Sequence, residues 1–191
     1  MTIEEAFVKY KEIYDFANIG VNLEDIVNVD ELIKTPVTVS LDSGVAYDGA
    51  LIFHTIMIWH FANKLLPIYE KIDKINVKSL AKVTVLHQLG KIGMFTPNQD
   101  EWQVKKLGKV YSFVENNVCM KTGELSKMVC SNAGVKFTID EYEAMSILDK
   151  SNEDFEKSNK YHSHLSTIFK MASDLAYSLQ RERYNLSKTN I

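Results

Sequence analysis

The stretch from Gly49 to Leu66 constrains the fold more than any other part of this sequence, because apolar residues recur at helical spacing on two of its sides. One side carries Ile52, Ile56, Trp59 and Leu66, and another carries Phe53, Met57, Phe61 and Leu65. A helix that is apolar on two sides needs packing partners on both, so we expect it at the centre of the protein. The chain has no uninterrupted run of 18 apolar residues, and we therefore expect no membrane-spanning segment.

The composition is that of an ordinary globular domain. The chain has 191 residues, of which 46% are hydrophobic and 25% are charged, and this length fits one domain better than two. The formal net charge of -3 gives no general attraction to nucleic acid or to an anionic membrane. Two cysteines, Cys119 and Cys130, are too few for a disulfide framework, and the acidic N-terminus lacks the apolar stretch of a secretory signal. We therefore expect a cytoplasmic protein.

Helical patterns dominate the chain on both sides of the central stretch. Capping boxes at residues 2–5 and 138–141 predict two helix starts, and Gly20 and Gly134 are predicted stops. The other predicted helices cover residues 22–34, 77–91, 122–132 and 165–184. In the last of these helices the predicted buried stripe consists of Ile168, Met171, Leu175 and Leu179. The polar residues 151–160 are predicted as a loop.

Two short β elements are predicted. Residues 35–47 alternate apolar and polar side chains around a turn at Asp42-Ser43-Gly44, which indicates a hairpin. Residues 94–114 contain two apolar runs with turn signals between them, which indicates a hairpin arm. The predicted organisation is an N-terminal helical extension over 1–34, a helical domain over 35–184 and a loose tail over 185–191. The extension either packs on the core or presents an oligomer interface.

Residue types alone do not predict a metal site among the five histidines. His54 and His60 are six residues apart, so they point to different sides of one helix. His162 and His164 lie beside a polar segment, and we expect them to be a solvated pair. The two cysteines form no Cys-x-x-Cys motif, so a zinc knuckle is not supported.

The segment 86–91, Leu-His-Gln-Leu-Gly-Lys, resembles the Leu-His-Asp-x-Gly-Lys signature of the HD-domain phosphohydrolase superfamily. Residues 49–54, Gly-Ala-Leu-Ile-Phe-His, are similar to that family's Gly-Gly-Leu-x-x-His-Ser opening of its first metal-binding helix. Later motifs of the family resemble residues 122–124, 142–147 and 164–174, in the family's order. The resemblance covers about residues 35 to 180, and it implies a mostly α, HD-domain-like helical bundle with a small β-hairpin arm. Versions with Gln at the motif's Asp position resemble those that tailed bacteriophages encode.

The family's chemistry places imidazole and carboxylate ligands around a divalent cation, which acidifies a bound water for attack on phosphorus. Carried over residue by residue, the ligands of a single-metal member fall on His54, His87, Gln88 and Asp174. Two further family histidines, which build a second metal site or hold phosphate, correspond to Thr122 and Lys150, or to Asp149 if the alignment slips by one. Lys91 corresponds to a lysine that contacts phosphate in active members, and at a helix end it would also complement the helix dipole.

Three departures from the family pattern argue against catalysis. Gln88 offers a neutral carbonyl oxygen where a dication needs an anionic ligand. Thr122 replaces a nitrogen donor by a weak hydroxyl, and Lys150 would place an ammonium near the position of a cation. The resemblance with these departures predicts a degenerate site that holds no cofactor.

Three functions remain open. The first is a degenerate, phage-type accessory or structural module, in the host cytoplasm or the virion, whose partner is a phage protein, a host protein or a second copy. The second is a weak phosphohydrolase acting on nucleotides or short oligonucleotides, with Mn²⁺, Fe²⁺, Ni²⁺ or Mg²⁺ at His54, His87 and Asp174. The third is single-stranded nucleic-acid binding by the arm, where Trp102 lies among lysines. Asp100 and other acidic residues flank that patch, so a solvated hairpin is favoured over nucleic-acid binding.

Overall fold

The computed structural model describes residues 1–69, 74–115, 120–149 and 162–189. The helices are α1 (Ile3–Ala17), α2 (Leu23–Ile26), α3 (Val29–Leu32), α4 (Ala50–Tyr69), α5 (Val77–Leu86), α6 (Glu101–Leu107), α7 (Thr122–Asn132), α8 (Ile139–Ile147) and α9 (His164–Thr189). The strands β1 (Phe95–Pro97) and β2 (Tyr111–Phe113) form a small antiparallel sheet. The prediction of a mostly α protein with a small β-hairpin is therefore confirmed.

The helix α4 lies at the centre of the core, as its two apolar sides predict. It packs against α9, α1 and α5, and its buried side chains include Leu51, Ile52 and Ile58. In the part of the chain that the structure describes, α4 is the only helix whose length and mean hydropathy of 1.2 would also suit a membrane span. This hydropathy agrees with its position between three other helices.

The N-terminal helices pack on the core. The capping box at Thr2 is confirmed, and the Tyr10 hydroxyl on α1 donates a hydrogen bond of 2.7 Å to the Val85 carbonyl on α5. The helix α1 ends at Ala17, before the predicted stop, because Asn18 takes a left-handed conformation with φ 52°. Residues 22–34 form two short helices instead of one, since Asn28 caps the second of them.

The predicted hairpin over 35–47 forms no pair of strands, although the Val37 N–H donates to the Val45 carbonyl at 3.0 Å across the predicted turn. Leu41–Ser43 form a 3-10 turn, and the backbone before it pairs with the arm: the Tyr111 N–H donates to the Val39 carbonyl at 3.3 Å. Gly44 follows the turn with φ 74°, and a Cβ there would lie 2.5 Å from the backbone oxygen of Gln180. The segment therefore turns where the sequence predicts, at residues 42–44, but it packs against α9 and the arm.

The predicted arm is confirmed, with a helix inside it that the turn signals did not predict. Phe95 pairs with Phe113, and the two rings lie 5.3 Å apart between centroids. The carboxylate of Asp100 accepts hydrogen bonds from the first backbone N–H groups of α6, and α6 ends at Gly108 with φ 61°. The connection between β1 and β2 is therefore a capped helical turn.

Three helix boundaries differ from the predicted ones. The helix α5 ends at Leu86, and residues 89–91 form a 3-10 turn because the Gly90 N–H donates to Ser126 Oγ on α7. The helix α9 begins at His164, one residue before its predicted start. The helix α9 continues to Thr189, so the residues before 190 in the predicted loose tail are helical, and Lys188 forms an ion pair with Asp42.

The start of α9 is held by a carboxylate. Burial alone would raise the pKa of Glu143, but hydrogen bonds from the Ser163 N–H, His162 and Ser166 outweigh it and lower this pKa to about 2. The His162 side chain is 7% exposed, so His162 is not part of a solvated pair. The predicted loop over 151–160, Lys150 and Cys119 lie outside the described residues.

Candidate functional site

A cavity of about 230 Å³ opens where α5, α7, α8 and α9 meet. It is lined by His87, Gln88, Lys91, Thr122, Gly123, Met145, Leu148, Asp149, Ser173, Asp174 and Tyr177. The end of α5, with the turn after it, contributes the first three of these, and the start of α7 contributes the next two. The structure therefore brings five of the predicted site residues to one cavity, and Asp149, the predicted alternative to Lys150, also lines it.

His54 lies beside this cavity on α4 and is fully buried. Its Nδ1 is 2.6 Å from the Oε1 of Gln180, and its ring meets the edge of Tyr177 at 4.5 Å between centroids. Because a carboxamide oxygen only accepts, Nδ1 carries the proton and Nε2 keeps a free lone pair. Burial lowers the pKa of His54 to about 4, so the imidazole is neutral.

His87 has the same tautomer for a similar reason. Its Nδ1 donates to the Thr84 carbonyl at 2.8 Å, and its ring packs edge-on against Phe169 at 4.9 Å between centroids. Burial, helped by the nearby His54, lowers the pKa of His87 to about 3. Both imidazoles are thus neutral and present Nε2 as an acceptor, which is the form in which histidine binds metals.

Three buried acceptors of the site have no hydrogen-bond partner in the described part of the chain. They are His54 Nε2, His87 Nε2 and Gln88 Oε1. Each nitrogen atom carries the lone pair with which a neutral histidine binds a divalent cation, and Gln180 and Thr84 orient the two rings from behind.

Ser173, which the sequence did not predict as a site residue, also lines the cavity. On α9, Phe169 contacts His87, and Tyr177 contacts His54. Ser173 lies one helical turn from each of them and is 2% exposed, so it shares their inward face. Asp174 is rotated to the rim, where its side chain is 62% exposed and pairs with Lys170 at 2.8 Å.

The residues present do not fit a catalytic dication. Gln88 and Ser173 place neutral oxygen atoms where a dication needs charge neutralisation. Within the described ranges, no three His, Cys, Asp or Glu side chains come together as a metal-binding group. Asp174 lines the cavity together with His87, but its side chain lies at the rim, whereas the adjacent Ser173 points about 100° away from it around α9.

The second predicted metal position is filled by an internal contact. Thr122 begins α7, and the Gly123 N–H at its first turn donates to Asp149 Oδ2 at 2.7 Å. A carboxylate at a helix N-terminus complements the helix dipole. Burial raises the pKa of Asp149 despite this hydrogen bond. The position offers a hydroxyl and an engaged carboxylate, and no imidazole among the described residues.

Lys91 connects the site to the segment before α4. Its Nζ donates to the Val37 carbonyl at 2.8 Å, and burial lowers the pKa of Lys91 to about 8. The same side chain also lines a neighbouring cavity beside Asp48 and Tyr111. Lys91 ends the 3-10 turn after α5, and its described partner is the carbonyl of Val37, which belongs to no helix, so its predicted role at the helix end stays a prediction.

The stripe predicted as buried on α9 is only partly so. Met171 and Leu175 are each 42% exposed, while Phe169, Ala172 and Ala176 are buried. The small residues Ala172, Ser173 and Ala176 were the available signal, because a helix that crosses α4 closely needs small side chains at the contact. The prediction placed the larger apolar residues Met171 and Leu175 on the buried face of α9, where the structure has the smaller ones.

The buried histidines predict a loss of stability on mild acidification. Their pKa values are about 4 and about 3 in the folded protein, against an ordinary value of 6.5 in the unfolded chain. Below pH 6.5 the unfolded state binds protons that the folded state does not, so the free energy of unfolding is highest above pH 6.5 and falls as the pH approaches 4. Each histidine accounts for about 2 kcal/mol between pH 7 and pH 5.

Urea denaturation at both pH values measures this loss. We expect His54→Gln to reduce the difference between pH 7 and pH 5 by about 2 kcal/mol. The control is His60→Gln, which changes an exposed histidine on the same helix and should leave the difference unaltered. A wild-type free energy that does not change over this range would contradict the assignment of neutral, buried imidazoles.

Comparisons with models of protein families, with curated proteins and with solved structures give no match to this chain. The resemblance to HD-domain phosphohydrolases therefore remains a hypothesis. It depends on the residues that carry it, and three of these, His54, His87 and Gln88, lie in or beside one cavity.

Proposed function

We propose that this chain is a catalytically degenerate HD-domain protein, of the kind that tailed bacteriophages encode, and that it acts as an accessory binding or structural module. The proposal rests on one observation: the oxygen donors beside the two imidazoles, from Gln88 and Ser173, carry no charge. Gln88 and Ser173 are 5% and 2% exposed, and neither can neutralise a dication. Without that charge, a metal would neither be retained nor acidify a water.

The internal hydrogen bonds of the site explain why its histidines persist in a module without catalysis. Gln180 Oε1 on α9 binds His54 on α4, so this contact ties together the two helices that pack most extensively. His87 terminates α5 by binding the Thr84 carbonyl. These residues therefore stabilise the core, and the proposed function lies on the protein surface. The partner that binds there is a phage protein, a host protein or a second copy.

Nucleic acid and membrane are not the partners that the surface favours. On the arm, Trp102 and Phe113 are exposed, but Lys105 is paired with Glu101 at 2.6 Å and Asp100 caps α6. A strand of nucleic acid would compete with Glu101 for Lys105 and would be repelled by the carboxylate of Asp100. We propose the bacterial host cytoplasm or the virion as the location.

A weak metal-dependent phosphohydrolase is the second candidate. The free lone pairs of His54 Nε2 and His87 Nε2 favour it, because nitrogen donors of this tautomer are ready to bind Mn²⁺, Fe²⁺ or Ni²⁺, and less so Mg²⁺. A bound cation would polarise a phosphoryl oxygen. His54 and His87 would hold it, and Gln88 could add a neutral oxygen.

Phosphate release and metal content separate the two candidates. The purified protein is treated with a chelator, reloaded with each of the four ions, and assayed on nucleotides and short oligonucleotides. We expect release at the rate of buffer alone, and far less than one equivalent of metal by elemental analysis. The opposite result is stoichiometric metal together with turnover that His54→Ala and His87→Ala each abolish. That result would favour the phosphohydrolase over the degenerate module.

A further inference from the structure

A groove of about 440 Å³ runs between α1 and α4 and reaches the start of α5. We call it the α1–α4 groove, and it is lined by Lys9, Glu12, Ile13, Phe16, Ile56, Trp59, Asn63 and Val77. Its floor is apolar. Phe16 is 46% exposed, although its ring lies only 5.9 Å from that of Trp59 between centroids.

The exposed side of α1 extends this apolar surface. Val8 is 57% exposed, and it lies one helical turn before Glu12 and two turns before Phe16, so the three share one stripe. On α4, Ile68 is 60% exposed beyond the groove. Large apolar side chains grouped on adjoining helices are typical of an interaction surface, whereas a single exposed one needs no explanation.

The charges at the rim identify the occupant. Lys9 and Glu12 are exposed, lie three residues apart on α1 and carry opposite charges. Neither forms an ion pair within the described part of the chain, where the α1 pairs involve Met1, Glu5 and Lys11. In a two-fold dimer the same patch meets itself, so each Lys9 can face Glu12 of the other copy. The rim is therefore complementary to itself.

We propose that a second copy of this chain covers the α1–α4 groove in a two-fold symmetric dimer. The contact would bury Phe16 and Val8 and would form two intermolecular pairs between Lys9 and Glu12. A membrane surface is the less suitable occupant, because α1 also carries Glu4, Glu5 and Asp15, and these repel anionic lipid. This inference does not depend on the proposed function.

Sedimentation velocity over a wide range of protein concentration tests the dimer when it is applied to variants in which Lys9 and Glu12 have their charges reversed. The wild type is expected to reach twice the monomer mass. Lys9→Glu places two carboxylates opposite each other and should weaken the dimer about tenfold or more, and the double variant Lys9→Glu/Glu12→Lys should restore it. Lys106→Glu on the arm makes the same change of charge elsewhere, and it should leave the dimer unaffected.

Phe16→Glu tests the apolar part of the contact and is tolerated by the fold, because this side chain is nearly half exposed in the single chain. We expect this variant to be monomeric and still folded by circular dichroism, although losing the contact with Trp59 lowers its thermal midpoint. A wild type that stays monomeric at every concentration overturns the proposal, as does a dimer that the charge variants leave unchanged. One further result would assign the groove to a membrane. In that case the wild type is monomeric and floats with vesicles of phosphatidylcholine and phosphatidylserine, and Phe16→Glu abolishes the flotation.

Discussion

The double variant Gln88→Asp/Ser173→Asp should bind Mn²⁺, whereas the wild type should not. Both positions are buried beside His87, and the two changes supply the anionic oxygen donors that the two imidazoles lack. At a Mn²⁺ concentration 100-fold above the dissociation constant, binding stabilises the folded state by about 2.7 kcal/mol. For a chain of this length that corresponds to a rise of about 5–10 °C in the thermal midpoint.

Each variant is compared with itself in the presence of a chelator, because two buried carboxylates without metal repel each other and lower the midpoint. The neutral variant Gln88→Asn/Ser173→Asn has nearly the same shape and should show no response to Mn²⁺. Adding Asp174→Asn to the aspartate variant should leave the response intact, since Asp174 points to the rim. Loss of the response on that change would show that Asp174, and not residue 173, is the ligand.

Gly123→Ala should destabilise the protein by more than about 3 kcal/mol. In an ordinary helical position this change stabilises by about 1 kcal/mol, because alanine favours the helix. At Gly123, however, a Cβ would overlap the backbone oxygen of Met145 and would lie 2.6 Å from Asp149 Oδ2. The carbonyl belongs to α8 and cannot rotate away, so α7 and α8 would have to separate.

The control lies at the other end of the same helix. Gly134 has φ 91°, and a Cβ added there would meet no atom of the described residues within 4 Å. Gly134→Ala should therefore cost only about 1 kcal/mol from backbone strain. Urea denaturation of the two variants gives both values. Equal losses would mean that α7 and α8 can move apart at little cost, and a stabilising Gly123→Ala would refute the close contact.

Those parts of the fold that depend on local periodicity could be predicted from the sequence. The central position of α4 followed from its two apolar sides, and the capping boxes at Thr2 and Thr138 marked real helix starts. In each case, the residues that decide the structure are neighbours along the chain. The hairpin arm was predictable for the same reason, since β1 and β2 are close in sequence.

Elements that depend on distant contacts could not be predicted in this way. The alternation over residues 35–47 is real, but Val39 pairs with Tyr111 of the arm, so a local hairpin does not form. The 3-10 turn after α5 forms where Gly90 meets Ser126, a contact between residues 36 positions apart. No window of the sequence contains both partners of such a contact.

The candidate site was predictable in its residues and less so in its geometry. The motif resemblance named His54, His87 and Gln88, and the structure places them in or beside one cavity. The resemblance also named Asp174, but in the structure the neighbouring residue Ser173 is the one that faces inward. An error of one residue matters on a helix because adjacent side chains point about 100° apart, and only the positions of Phe169 and Tyr177 decide which residue faces the histidines.

The hydrogen bond between His54 and Gln180 joins residues 126 positions apart, and this separation has a consequence for biosynthesis. During translation α4 emerges long before α9, its largest packing partner. The side of α4 that packs on α9 must then remain uncovered until residues 164–189 have been made, and apolar surface exposed on a nascent chain can aggregate or recruit chaperones.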